Sequence, residues 1–317
     1  MNKEKIYPSI ALGTWSWGVG AAGGDQVFGN HLDSEALRPV FEAAMKEGLN
    51  LWDTAAVYGM GSSEDILGSF VKEYGDQNVI LSTKFTPQIA ENCDDPVDKM
   101  CNDSLKRLGA DYIDIYWIHN PADVEKWTPL LLPLIKSGKV KRVGVSNHNL
   151  SQIKRAEEIL SEGGAHISAV QNHYSLLYRS SEKAGILDYC KENGIDFFAY
   201  MVLEQGALSG KYSSKNPLPE GSQRAETYNP ILPKLENLTD SMKKIGEKYG
   251  VGTAQIAIAW AVSKGTTPII GATKVSHVTD AAKASKICLT AEEIAELEAL
   301  ADAAEVDTRG SWENPMA

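Results

Sequence analysis

Residues 13–24 read GTWSWGVGAAGG, and the run GVGAAG within them satisfies the G-x-G-x-x-G pattern of a dinucleotide-binding turn. How this stretch is read decides between a Rossmann sheet and another α/β architecture. In a Rossmann turn the third glycine opens a helix, so that a pyrophosphate meets free backbone N–H groups at the positive end of the dipole. Here Gly18, Gly20 and Gly23 lead into GDQVFGNHLD, polar and glycine-containing, and helical periodicity returns only near Ser34, in SEALRPVFEAAMKEG. The stretch therefore reads as a glycine-rich loop after a first strand, and its surroundings must decide the fold.

Outward from it, short apolar runs alternate with helical patterns along the chain. The runs are IALGTWSW (10–17), NLWDTA (50–55), VILSTKF (79–85), YIDIYWIH (112–119), VKRVGVSNH (140–148), ISAVQNHY (167–174), IDFFAYMVL (195–203) and TPIIGA (267–272). The helical segments between them carry recognisable ends, as in DPVDKMCNDSLKRLG, where Asp95 can cap, Pro96 suits the first position and Gly109 can stop the helix. Eight βα units imply a parallel sheet, which closes most naturally into a (β/α)8 barrel, although an open doubly wound sheet fits the periodicity nearly as well. The long interval between the seventh and eighth runs, with polar SSKNPLPEGSQRAETYNPILP followed by two helical patterns, predicts an excursion over the barrel mouth. Two closing helices follow the eighth run, the second opened by a Thr290/Glu293 capping box. No repeat or linker divides the chain, so residues 1–317 are expected to form one domain.

Composition narrows the function. Against 31 basic residues stand 42 acidic ones, a net charge of −11, which disfavours nucleic acid or an anionic membrane as partner. Cys93, Cys101, Cys190 and Cys288 form no C-x-x-C pair, so neither a metal site nor a disulfide framework is expected. The start MNKEKIYPSI lacks an apolar leader, and no apolar run approaches the roughly eighteen residues that span a bilayer, which predicts a cytoplasmic protein.

In such a barrel the reactive groups gather at the C-terminal ends of the strands. Asp53 ends the second, with Tyr58 in the loop beyond, Lys84 ends the third and His119 the fourth. Taken singly, each has an ordinary structural reading as an ion-pair, packing or hydrogen-bonded residue. Together they compose an acid: a tyrosine has a pKa of roughly 10, which the Lys84 ammonium would lower, Asp53 would hold that lysine charged, and neutral His119 could donate to a substrate oxygen. The set protonates an oxygen but supplies no hydride, so a cofactor is required.

The stretches LGTWSWG, NLWDTAAVYGMGSSEDILG, STKF, SLKRLGADYIDIYWIHNP, SGKVKRVGVSNH, AVQNHYS, GALSGKY and GATKVSHVTDA, in this order, resemble the aldo-keto reductase superfamily over nearly the whole chain. The resemblance implies Asp53, Tyr58, Lys84 and His119 as the catalytic tetrad, with Tyr58 the general acid while hydride comes from C4 of a nicotinamide. It implies cofactor contacts from the strand-end backbone at Gly13, Thr14 and Trp15, from Ser146, Asn147 and Gln171 on the carboxamide, and from Tyr200 stacked on the ring. Leu203, Gly206, Leu208 and Lys211 match the segment over the pyrophosphate, with Arg224 a further candidate. Gly271, Thr273, Lys274, His277 and Asp280 match the adenosine end. His277 stands where many members have arginine or glutamine, Ala281 where they have asparagine, and YMVLEQG replaces the usual Tyr-Ser-Pro-Leu. NADPH is favoured, with NADH the rival. Trp15, Trp17, Met60 and Trp117 are expected as walls for a small aldehyde, ketone or alcohol, and Trp312 of DTRGSWENPMA is a further candidate to reach the pocket. A cofactor-binding sensor similar to potassium-channel β subunits, and a barrel isomerase or lyase without a redox step, are the competing readings.

Overall fold

The computed structural model describes residues 7–316, and the reading of the leader at residues 1–6 lies outside them. Eight parallel strands, β1 (Ala11–Gly13), β2 (Leu51–Asp53), β3 (Ile80–Phe85), β4 (Ile113–Ile118), β5 (Val140–Ser146), β6 (Ala169–His173), β7 (Asp196–Tyr200) and β8 (Thr267–Gly271), pair in sequence order and close between β8 and β1. The closed barrel settles the choice left open by periodicity. Every predicted run contains its strand. The helix Pro96–Leu108 has the predicted ends: the Asp95 side chain accepts from Asp98 N, Pro96 takes the first position and Gly109 adopts the left-handed stop. The Thr290/Glu293 box opens the helix Ala291–Ala303.

Two expectations are corrected. Gly24–Phe28 forms a short helix directly after Gly23, so the GDQVF stretch is not all loop. The excursion after β7 holds three helices, Gln223–Tyr228, Leu232–Tyr249 and Thr253–Ser263, where two patterns were read, because the first is short and lies inside a polar stretch.

The glycines of GVGAAGG serve packing. Gly18, Gly20 and Gly24 have φ of 81°, 108° and 47°, in the left-handed region. A Cβ on Gly20 would sit 3.0 Å from the Gly59 carbonyl oxygen and one on Gly23 2.8 Å from Gly59 N. The loop thus lies backbone to backbone against the turn Tyr58–Gly61.

Register sets the heights at which side chains emerge. Gly13 pairs with Asp53, Asp53 with Ser82, Lys84 with Trp117, Ser146 with Gln171 and His173 with Tyr200. Below that level the lumen is filled by Ala11, Leu51, Ile80, Ile115, Trp117, Ala169 and Phe198. Trp117 and Phe198 meet edge to face at 5.3 Å. A second, larger apolar layer lies between strands and helices. Among the described residues no helix is long and apolar enough to cross a membrane.

Gly144 of β5 makes room for the lumen indole, since a Cβ there would lie 2.5 Å from the Trp117 ring and 2.6 Å from the Ala169 carbonyl oxygen. Gly144→Ala is expected to lower the unfolding free energy by about 1–3 kcal/mol, read from urea denaturation. Gly271→Ala, whose added carbon meets nothing within 4 Å, should stay within about 0.5 kcal/mol of the wild type.

Candidate active site

The site starts from an ion pair with almost no access to water. Lys84 Nζ lies 2.6 Å from Asp53 Oδ2 and donates to the Thr54 carbonyl at 2.7 Å; the lysine is 0% exposed and the aspartate 3%. The other Asp53 oxygen accepts from Ser82 Oγ at 2.7 Å and Gln171 Nε2 at 3.1 Å. Ser82 in turn accepts from the Trp117 indole at 2.7 Å. Residues 82 and 84 alternate onto the inner face of β3, which is why the serine meets the aspartate that the lysine binds. Both carboxylate oxygens and the ammonium are thus hydrogen-bonded, as burial of charge requires.

Above it, the Lys84 ammonium lies 5.1 Å from the centroid of the Tyr58 ring and faces its hydroxyl. Burial raises the pKa of Tyr58 above the ordinary tyrosine value, and the opposing pull of Lys84 does not overcome it. This corrects the sequence expectation of an acidified phenol: with the mouth as it stands, Tyr58 keeps its proton. What Lys84 offers is stabilisation of the phenolate once the proton has left. The His119 ring stands 5.9 Å from that of Tyr58. Burial, and then the charge of Lys84, hold His119 well below the usual imidazole range, so it is neutral. Its Nδ1 lies 2.8 Å from Thr86 Oγ1; with Thr86 donating, Nε2 carries the proton and can give a hydrogen bond into the mouth.

Around the hydroxyl, Trp15 packs at 6.1 Å from Tyr58, 5.1 Å from Phe28 and 6.2 Å from Trp312. Its indole N–H is anchored on the Ala22 carbonyl at 2.9 Å. Trp17 and Trp117 have no exposed surface, which overturns their reading as pocket walls: Trp17 donates to the Ala272 carbonyl and packs against Trp52 with the rings tilted by 54°, and Trp117 plugs the lumen. Met60 is 56% exposed and borders a cavity of about 170 Å³ with Ile89 and Met100, whose lining does not include Trp15.

The expected cofactor residues divide similarly. Asn147, at φ 62°, gives its side-chain amide to the His119 carbonyl and Ser146 Oγ and accepts from Tyr200 Oη at 2.5 Å, while its backbone N–H donates to the Gln171 carbonyl at 3.1 Å, so Ser146, Asn147, Gln171 and Tyr200 meet on the β5–β7 side of the mouth. The carbonyls of Gly13, Thr14 and Trp15 already accept from Ala272, Trp17 and Gly24. Thr14 and Leu208 are fully buried, which places them in the support of the site and corrects their reading as contacts. Leu203, Gly206 and Lys211 follow the β7 exit. Arg224 has no partner for its buried Nε and lines, with Gln26–Gly29 and Pro219–Gln223, a cavity of about 590 Å³. Beyond β8, Lys274 caps the helix Val275–Ala284 without a side-chain bond, leaving first-turn N–H groups free. His277 Nδ1 meets Thr273 N at 3.3 Å, and Asp280 accepts from Gln255. Burial first, then the ammonium of Lys274, and less strongly that of Lys211, lower the His277 pKa, so three basic side chains converge beside a helix N-terminus and Gly271. An unpartnered guanidinium nitrogen, a gap and this basic end suit a ligand with several phosphates.

Residues 9–302 match the model described as the aldo/keto reductase family. The chain belongs to the aldo/keto reductase family. Aldo/keto reductases are oxidoreductases of carbonyl groups, and this chain is one of them. It is 35% identical over 315 residues to the chloroplastic pyridoxal reductase of Arabidopsis thaliana, covering 94% of this chain and 84% of that one. Among solved structures it resembles the glycerol dehydrogenase of Gluconobacter oxydans, with a TM-score of 0.79, 27% identity and coverage of 94% and 93%. It also resembles an aldo-keto reductase of Klebsiella pneumoniae solved in complex with NADPH, with a TM-score of 0.74, 26% identity and the same coverage.

Sequence reasoning missed Ser82, Thr86 and Phe28. Period-two spacing from Lys84 along β3 would have found the first and pointed beyond the strand to the second. Phe28 carried no signal, because its contact with Trp15 depends on the unexpected helix.

Lys84→Met leaves the Asp53 carboxylate buried without its counter-charge and is expected to cost about 3–5 kcal/mol of stability. The double variant Asp53→Leu, Lys84→Met should recover part of that loss in the same denaturation assay.

Proposed function

We propose that this protein is an NADPH-dependent carbonyl reductase in which Tyr58 gives the proton to the substrate oxygen. The observation that carries the reading is the buried Asp53–Lys84 pair facing the Tyr58 hydroxyl, with neutral His119 on the other side. Bound NADPH supplies a hydride from nicotinamide C4 to the carbonyl carbon.

The protein's own part is to orient and to manage one proton. His119 Nε2–H hydrogen-bonds the carbonyl oxygen and polarises it. As that oxygen becomes an alkoxide, Tyr58 Oη releases its proton to it, and the Lys84 ammonium stabilises the resulting phenolate. Asp53, fixed by Ser82 and Gln171, keeps Lys84 charged and in place. Ser146, Asn147, the side-chain amide oxygen of Gln171 and Tyr200 would hold the nicotinamide end, with Tyr200 giving up its bond to Asn147. Leu203, Gly206, Lys211 and Arg224 would grip the phosphates. Gly271, Thr273, Lys274, His277 and Asp280 would take the adenosine end, where Lys274 and the helix N-terminus favour the additional phosphate of NADPH over NADH. The aromatic walls Trp15, Phe28 and Trp312 suit a planar, apolar aldehyde or ketone, and the arrangement also runs in reverse on an alcohol.

Following NADPH absorbance with a panel of aldehydes and ketones tests the reading. Tyr58→Phe should lose about 10²–10⁴-fold in turnover while NADPH fluorescence titrations still report binding. A wild type that holds NADPH but turns over nothing would favour a sensor role instead. Because a general acid works only while protonated, and the Tyr58 pKa is raised, kcat for reduction should stay level through neutral pH and fall only above about 10.

A further inference from the structure

A second buried charge cluster lies on the β6–β7 side of the mouth, apart from the tetrad. His173, the last residue of β6, has no exposed surface; its Nε2 lies 3.0 Å from Glu204 Oε1 and its Nδ1 3.0 Å from Glu313 Oε1. With a carboxylate on each nitrogen the ring is an imidazolium. Burial alone would depress its pKa, but Glu204, and then Glu313, push it up to about 9. Glu204 is fully buried too, and accepts in addition from Ser175, from Tyr228 Oη at 2.8 Å and from Thr308 Oγ1 at 3.0 Å. Four separate parts of the chain therefore meet on two carboxylates.

Two of these parts are the entry to the excursion and the segment that follows the last helix. That segment crosses the mouth as a strap. Thr308, Glu313 and Met316 are buried, the Met316 sulfur lies 3.5 Å from Asn172 Nδ2, and Trp312 rests against Trp15. The excursion entry is strained: Met201, Glu204 and Gln205 have φ of 60°, 47° and 50°, left-handed values that side-chain-bearing residues adopt at a cost. Such a backbone keeps its shape only where contacts over-determine it, and here the contacts are those on Glu204. Leu203 and Gly206 flank it, and Lys211 follows.

We propose that Thr308 and Glu313 latch the phosphate-gripping excursion, tying it through Glu204 and His173 to the strap, so that the strap must lift before a bound dinucleotide can leave. These two residues are positioning residues that touch neither cofactor nor substrate. The latch rests on the reading of the mouth as an NADPH site. Linkage then requires the reciprocal effect, that NADPH holds the strap down.

Both directions can be read on the intact protein without turnover. Stopped-flow fluorescence gives the rate of NADPH release, and limited trypsin treatment reports lifting of the strap through cleavage after the exposed Arg309. Glu313→Gln and the milder Thr308→Val should each speed release about tenfold, an ordinary coupling free energy. NADPH should slow cleavage of the wild type, and the protection should be largely lost in Glu313→Gln. Unchanged release in both variants, or NADPH that binds without protecting Arg309, would overturn the latch while leaving the reductase reading intact. An intact protein that takes up no NADPH would remove both.

Discussion

The ammonium of Lys84, enclosed in the barrel and neutralised by Asp53, is the constraint on which the site depends. An unpaired charge there would cost about 3–5 kcal/mol, a large share of the stability of an ordinary domain, so the surroundings are arranged to leave none. β2 and β3 must stand in register for the two side chains to meet, Ser82 and Gln171 must occupy the second carboxylate oxygen, and Trp117 must reach Ser82 from the next strand. The room for Trp117 comes from the missing side chain of Gly144. The ion pair at the top of the barrel thereby fixes residue choices in its interior.

Most of the architecture and the tetrad were legible because each rests on local pattern. Alternating apolar runs and helical segments located all eight strands, and strand ends placed Asp53, Lys84 and His119 together with Tyr58 just beyond. What local pattern does not encode is which way a large side chain turns and how dry its surroundings are. Trp17 and Trp117 were read as walls and proved to be core. The tyrosine pKa was read from its charged neighbour alone, whereas enclosure outweighs that neighbour. His173, Glu204 and Glu313 were invisible for a different reason: the histidine meets one carboxylate 31 positions away and the other 140 away, separations that no spacing rule spans.

The glycine run near the N-terminus illustrates how a motif can match in letters and differ in physics. Its glycines allow the loop to lie on the turn that carries Tyr58, and they hold the Ala22 carbonyl where it anchors Trp15. The features suited to phosphate, an unsatisfied guanidinium nitrogen and a free helix start beside two lysines, lie instead after β7 and β8. Dinucleotide chemistry and a dinucleotide-like sequence thus coexist in one chain at different places.

The apolar plug under the reactive groups has one more consequence. Trp117, Phe198 and their neighbours close the lumen from below with apolar side chains, a poor path for water or protons to Tyr58 along the barrel axis. If Tyr58 is the acid, as proposed, its phenolate would recover its hydrogen from above, by the same opening that admits substrate. On that proposal, restocking the acid and exchanging product for fresh reactant share a single doorway.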